Sequence, residues 1–241
     1  MRAILISEHG GPEVLRTVDV PDPTGPGVGV RVTHVGLNHL DVWVRRGVPG
    51  HRFPLPMIPG SDVVGVREDT GEVVAVHPGI GCMACPRCLS GQHNLCRGYR
   101  IRGEGMDGGM AERIVVSEAE LLPCSLPPEQ AASLPLSLLT AWHMLVGRAR
   151  VQPGDRVLVQ AGASGVGSLA IQVARLFGAR VAATASTDLK RALCRDLGAE
   201  EAWSYDEAAS KAKAWTARAG VDIVVDHVGT ATWDTSMRVL R

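Results

Sequence analysis

The sequence predicts an α/β chain in two parts, a β-barrel or sandwich followed by a doubly wound parallel sheet. Over the first 120 or so residues, short β-branched or alternating runs are separated by Gly/Pro clusters, the texture of an all-β domain. After SLPPEQ (125–130), strands alternate with helical stretches, the rhythm of a parallel sheet. A length of 241 residues, 45% hydrophobic and 21% charged, supplies core for one large or two modest domains.

In the first part, Arg2 to Ser7, Val28 to Val35, Val63 to Arg67, Glu72 to Val76 and Ala111 to Val116 read as strands. PDPTGPG (21–27) and PLPMIPG (54–60) punctuate them. In the second part, Gln130 to Val146 is one apolar helical stretch, and GDRVLVQ is a strand ending near Gln160. Gly165 to Leu176 is a helix that Gly178 stops at the position a C-cap favours. ARVAATA (179–185) is the second strand and Asp188 to Leu197 a helix ended by Gly198. EAWSY (201–205) is a short third strand, and VDIVVDHV (221–228) a fourth before a last helix. The change of texture places the domain boundary between 124 and 125, giving domains 1–124 and 125–241.

Composition narrows the function. Twenty-five Lys and Arg balance 25 Asp and Glu, without a block of like charge that would suit nucleic acid or an anionic membrane. The 5 Trp, 2 Tyr and 2 Phe leave little for base stacking. MRAILISEHGG is too short and too soon polar for a signal peptide, and apolar stretches break before the roughly 20 residues of a membrane span. The expectation is a soluble cytoplasmic protein acting on a small molecule, with neither nucleic acid nor membrane as partner.

Four of the six cysteines fall in GCMACPRCLSGQHNLC, where Cys82, Cys85, Cys88 and Cys96 have the spacing C-x2-C-x2-C-x7-C. Each C-x-x-C turn brings two thiolates to one side of a tight loop, and four can close a tetrahedral shell around one Zn2+. A closed shell holds structure and does no chemistry. Two disulfides or an iron–sulfur cluster are the alternatives; the spacing lacks the C-x3-C-P ending of bacterial ferredoxins. Cys124 and Cys194 read as buried small residues or free thiols, and His93 as a solvated loop residue.

VLVQAGASGVGSLAIQVA is a strand, a tight turn and a helix. Glycine in such a turn lets the main chain approach a pyrophosphate, whose charge then faces the N–H groups of the helix that follows. Gly162, Ser164, Gly165, Val166 and Gly167 are the candidate contacts. NAD calls for a carboxylate at the end of the second strand, to bond the ribose 2'-hydroxyl. VAATASTDLKR has Ala185 there, with Ser186, Lys190 and Arg191 close by, which favours the 2'-phosphate of NADP(H) over NAD(H). The alternatives are that Lys190 and Arg191 are merely solvated and that Asp188 reaches a ribose.

The four-cysteine lobe in a β-rich domain, together with GLNHLDVWVRRG (36–47), IPGSD (58–62), LTAW (139–142) and GASGVG (162–167), resembles the medium-chain dehydrogenase/reductase superfamily over the whole chain. That family includes zinc-type alcohol dehydrogenases and quinone oxidoreductases. The resemblance implies a GroES-like β-barrel followed by a Rossmann doubly wound sheet. Where the family holds a catalytic zinc with Cys, His and Cys, this chain has Asn38, Ser61 and Leu136, so the resemblance points to the quinone oxidoreductase-like members. These move hydride from NADPH to a quinone, enone or carbonyl acceptor without metal assistance. In those relatives the pair corresponding to Asn38 and Asp41 lies at the substrate cleft, and residues corresponding to Lys190 and Tyr205 lie near the adenosine phosphate. Asn38 is the first candidate donor to a developing oxyanion, with Thr140 and His39 behind it.

The resemblance also implies an incomplete Rossmann sheet. A six-stranded domain needs strands five and six, and roughly 100 residues of such a fold would lie beyond Arg241. The expectations are a fragment of a longer oxidoreductase, a homodimer or homotetramer when complete, or a short paralogue that binds NADPH without turnover. An open apolar edge over Ile223 to Val228 is expected in either case. A zinc-dependent alcohol dehydrogenase is the remaining alternative.

Overall fold

The computed structural model describes residues 1–241, and its chain divides into a unit over Met1–Leu136 and another over Ser137–Arg241. In the first, β1 (Arg2–Ile6) pairs antiparallel with β2 (Leu15–Asp19) across a 3-10 turn at Pro12–Val14. Then come β3 (Val28–Gly36), α1 (His39–Arg46), β4 (Asp62–Arg67) and β5 (Val73–Val76). A small lobe follows, in which β6 (Gly79–Ile80), α2 (Pro86–Leu89) and β7 (Arg100–Ile101) surround the clustered cysteines. The unit is completed by β8 (Arg113–Val116), β9 (Leu121–Pro123) and α3 (Pro128–Ala131).

Strands β8, β3, β4, β5 and β9 form one antiparallel sheet in that order. Its centre is apolar on both faces because side chains alternate along a strand. Val63 packs with Val30, Val74, Val76, Ile114 and Val116 on one face, while its neighbour Val64 packs with Ala75, Ala131 and Ala132 on the other. Because α3 covers that second face, the division falls after Leu136 and not at the predicted 124/125.

The predicted helix over 130–146 is three pieces: α3, α4 (Pro135–Trp142) and a π-helical turn at His143–Ala149. Pro135 brings no N–H to the ladder and disfavours helical angles at the residue before it, which ends one helix and begins the next. The second unit continues with β10 (Arg156–Val159), α5 (Gly165–Leu176), β11 (Arg180–Thr184) and α6 (Asp188–Asp196). Next are β12 (Glu201–Trp203), α7 (Ala208–Trp215), β13 (Ile223–Val225) and α8 (Trp233–Val239).

These strands form a parallel sheet in the order β12-β11-β10-β13. Val157, Val159, Val181 and Ala183 pack on one face with Ile171 and Ala174 of α5. Leu158 and Ala182 pack on the other with Trp203, Ala212 of α7 and Val239 of α8. Helices on both faces make the sheet doubly wound, as the alternation of strands and helices predicts.

The predicted fourth strand, 221–228, shrinks to the three residues of β13. Val221 bridges to Leu240, and Asp222 takes Arg241 at 2.8 Å and Arg156 at 3.0 Å. Asp226 turns out of the strand to receive the backbone N–H groups of Val228 and Gly229, each at 3.0 Å. The apolar edge expected over Ile223 to Val228 is therefore short, with Val225 buried and Ile223 and Val224 half-buried. No helix is long and apolar enough to cross a membrane.

Candidate functional site

The glycine turn joins β10 to α5 and is held by close packing. Ala161 adopts φ +50°, where its N–H reaches Thr184 Oγ1 at 3.1 Å and its carbonyl accepts the Ser164 hydroxyl at 2.8 Å. A Cβ on Gly162 would stand 2.7 Å from Ala183 Cβ and 2.8 Å from Cys194 Sγ, and one on Gly167 would overlap the Ala161 carbonyl oxygen. These two glycines are needed for the turn itself. A Cβ on Gly165 would meet only the Ser137 side chain, with Oγ at 3.1 Å. Ser164 caps α5 by accepting the Gly167 N–H at 3.0 Å. The N–H groups of Gly165 and Val166 lie in the first turn, where a helix offers no internal acceptor, while the Val166 side chain packs partly on the core.

Beside this turn is a cleft of about 120 Å³ lined by Ala161, Ala163, Ser164, Ala185, Ser186, Lys190 and Tyr205. The structure thus brings Ser164, Ser186, Lys190 and Tyr205 to one place. Arg191 is turned away, bonded to the Ala185 carbonyl at 3.0 Å and paired with Asp188 at 2.6 Å. Lys190 is the cation left on the cleft wall, and no carboxylate lines it.

Behind the turn runs a buried relay that the sequence reading missed. Thr184 Oγ1 donates to Gln160 Oε1 at 2.7 Å, Gln160 Nε2 to Ser236 Oγ at 3.1 Å, and Ser236 Oγ to Asp226 Oδ2 at 2.6 Å. His227 was also missed; its Nε2 lies 2.8 Å from Ser164 Oγ. Gln160, Thr184 and Asp226 interrupt or end apolar strands, and that was the available signal.

In the first unit, Asn38 caps α1 and Asp41 is the third residue of its first turn, so that Asp41 Oδ2 accepts the Asn38 N–H at 2.7 Å. Asp41 Oδ1 accepts the Gly60 N–H at 3.0 Å, which ties α1 to the segment before β4. Asn38 Nδ2 donates to Asp62 Oδ2 at 2.9 Å, and the Leu136 N–H reaches Asp62 Oδ1 at 2.7 Å. Burial pushes the Asp62 carboxyl up to about 6 against these two hydrogen bonds, and nearby Asp41 adds to the rise. Burial likewise raises Asp41, opposed by the N–H groups of Asn38 and Gly60. Ser61 is fully buried and its hydroxyl has no partner. His39 is exposed and packs edge-on to Trp43, ring centroids 5.1 Å apart. Thr140 is half-buried on α4 of the second unit.

Cys82, Cys85, Cys88 and Cys96 bring their sulfurs within 4.8 Å of one another. Backbone N–H groups point at them: Cys85 to Cys82 Sγ and Gly98 to Cys96 Sγ, each at 3.3 Å, and Cys82 to Cys96 Sγ at 3.4 Å. The N–H groups of Ala84 and Cys85 pull the Cys82 thiol down to about 6, whereas desolvation pushes Cys88 up to about 12. All six cysteines are free thiols, so the two-disulfide alternative does not describe this lobe. Cys194 is buried in the second unit's core. His93 is half-buried and not solvated as expected, its Nε2 lying 3.1 Å from the Cys88 carbonyl oxygen.

Comparison with known proteins agrees with both units. The family model of the alcohol dehydrogenase GroES-like domain matches residues 25–127, and that of the zinc-binding dehydrogenases matches 165–241. The quinone oxidoreductase of Rattus norvegicus is 30% identical over 247 residues, covering 100% of this chain and 70% of that protein. The Homo sapiens quinone oxidoreductase is 29% identical over 248 residues, with the same coverage of 100% and 70%. A crystal structure of an NAD-dependent alcohol dehydrogenase superposes with TM-score 0.94 at 43% identity, over 100% of this chain and 74% of that one. The quinone oxidoreductase from Thermus thermophilus, whose crystal structures include its complex with NADPH, gives TM-score 0.79 at 39% identity, over 100% and 70%. With its GroES-like and Rossmann-like units matched along the whole length, the chain belongs to the medium-chain dehydrogenase/reductase superfamily of NAD(P)-dependent oxidoreductases.

Proposed function

We propose that this protein transfers hydride from NADPH to a quinone, enone or carbonyl acceptor without a catalytic zinc. The observation that carries the cofactor choice is the cleft beside the glycine turn, where Ser186, Lys190 and Tyr205 converge and Ala185 stands in place of a carboxylate. A 2'-phosphate gains charge-assisted hydrogen bonds from such a set, whereas a bare ribose finds no acid to accept its hydroxyl. The likeness to an NAD-dependent alcohol dehydrogenase supports NAD(H) as the second reading.

The metal-free reading rests on the donor set around Asn38. Asn38 already spends an N–H on Asp62, Ser61 offers a hydroxyl, and Leu136 supplies only its backbone N–H. A catalytic zinc needs three ligating side chains and an open position, which these residues do not provide. The cysteine lobe does suit zinc: sulfurs about 2.3 Å from a tetrahedral ion stand about 3.8 Å apart, and Cys82 Sγ and Cys88 Sγ are separated by 4.0 Å. We assign one structural Zn2+ to Cys82, Cys85, Cys88 and Cys96.

A reduced nicotinamide, when bound, supplies the hydride from its C4. Gly162, Ser164, Gly165, Val166 and Gly167 form the turn that would hold the pyrophosphate at the start of α5. Asp62 fixes the Asn38 carboxamide through one N–H, which orients the group as a donor to the oxygen on which charge develops. Asp41 positions the start of α1, and Thr140 of the second unit is a further candidate donor. A small-molecule acceptor and a homodimer or homotetramer belong to the same reading.

Fluorescence titration with NADPH and NADH, followed by NADPH oxidation against a panel of quinones and enones, tests it. Tighter NADH binding overturns the cofactor choice. Cofactor binding without oxidation of NADPH by any acceptor favours the non-catalytic alternative, and two zinc ions per chain overturn the metal-free mechanism.

A further inference from the structure

His227 follows β13 and contacts the residue that caps α5. Ser164 Oγ has one proton and three neighbours: the Ala161 carbonyl at 2.8 Å, the Gly167 N–H at 3.0 Å and His227 Nε2 at 2.8 Å. The Ala161 carbonyl, which also accepts the Ser164 N–H at 2.9 Å, is placed to take the hydroxyl proton, and the Gly167 N–H fills one lone pair of Oγ. In that arrangement His227 brings its own proton at Nε2. Burial holds the imidazole below its ordinary value, so the ring is neutral and Nδ1 is a bare lone pair. That atom is buried and has no partner in the protein, a state that native structures leave to few groups and that points to a missing donor.

The place of the ring says which donor. With the order β12-β11-β10-β13, the sheet runs one way from β10 through β11 and the other way to β13. Ligands of such sheets bind outside the carboxyl ends of the strands at this point of reversal. The glycine turn leaves β10 there and His227 leaves β13 there. Ser186, Lys190 and Tyr205, the adenosine side of the reading above, lie on the β11 side. The β13 side is left to the nicotinamide half. The donor on that half nearest the pyrophosphate is a hydroxyl of its ribose.

We propose that His227 is a cofactor-binding residue whose Nδ1 accepts a hydroxyl of the nicotinamide ribose, while its Nε2–H holds Ser164 in place. The proposal rests on the dinucleotide reading and extends it to a residue from another strand.

Two variants separate the nitrogens. His227→Gln keeps a donor near the Nε2 position and loses the acceptor; His227→Asn keeps an acceptor near Nδ1 and loses the reach to Ser164. Each is titrated with the dinucleotide that wild type prefers and with its adenosine fragment, 2',5'-ADP for NADPH or ADP for NADH, which lacks the nicotinamide ribose. The expected result is about tenfold weaker dinucleotide binding by H227Q, with fragment binding within about twofold of wild type, the size of one lost hydrogen bond. H227N should bind the dinucleotide within about threefold of wild type. Unchanged dinucleotide binding by H227Q, an equal loss for the fragment, or an equal loss in H227N overturns the proposal. A wild-type protein that binds neither dinucleotide nor fragment overturns the dinucleotide reading and this one with it, a different outcome from wild-type binding that H227Q does not disturb.

Discussion

Burial of Asp62 changes what pH does to this fold. Its carboxyl is raised from 3.8 to about 6, so between those values the native state holds a proton that the unfolded chain has released. Its contribution to stability is therefore greatest at low pH and falls as pH rises through about 6. At 1.36 kcal/mol per pH unit the difference is on the order of 3 kcal/mol. Urea unfolding of wild type and Asp62→Asn at pH 4 and pH 8 checks this: relative to the variant, wild type should lose on the order of 2–3 kcal/mol across that interval, and a pH-independent difference would contradict it. Ser164→Ala removes the cap of α5, and unfolding should report a loss of about 1 kcal/mol. Asn38 stood out in the sequence because it replaces an expected ligand. Its partnership with Asp62 did not, because the two are 24 residues apart and meet only when α1 is tied to the start of β4.

The strand-turn-helix element tolerates substitution unevenly, for steric reasons. Gly167→Ala drives a Cβ into the Ala161 carbonyl, while Gly165→Ala meets only the Ser137 side chain. Thermal or urea unfolding should show a loss of about 3 kcal/mol or failure to fold for the first and about 1 kcal/mol or less for the second. In the cysteine lobe, β6 and β7 pair over only two residues each, so the sulfur cluster has to supply the local order. Cys88→Ser should lower bound zinc well below one per chain by metal analysis and speed amide exchange over residues 79–101. Helix α5 was legible to the residue, because glycine pattern, apolar period and C-terminal stop agree. Strand β2 and helix α7 were not: β2 is short and mostly polar and forms by pairing with β1, while α7 is eight residues that bury only Ala208 and Ala212, too short to hold without packing.

Over the whole molecule, the two units should respond separately to their ligands. NADPH at about 100 times its Kd should stabilise the unit that binds it by about 2.7 kcal/mol. Hydrogen exchange should slow in residues 160–167 and 184–190 and stay unchanged in 82–96; protection confined to the cysteine lobe would contradict the assignment.

The two-part architecture, the cysteine cluster and the glycine turn could be read from the chain because each is local: a few neighbouring residues of the right type at the right spacing suffice. The division at Leu136, the shortened fourth strand, the Asp62 clamp on Asn38 and the contact of His227 with Ser164 depend on segments far apart in sequence. Packing alone brings those segments together, and it also sets the burial that moves the Asp62 proton and leaves one nitrogen of His227 without a partner.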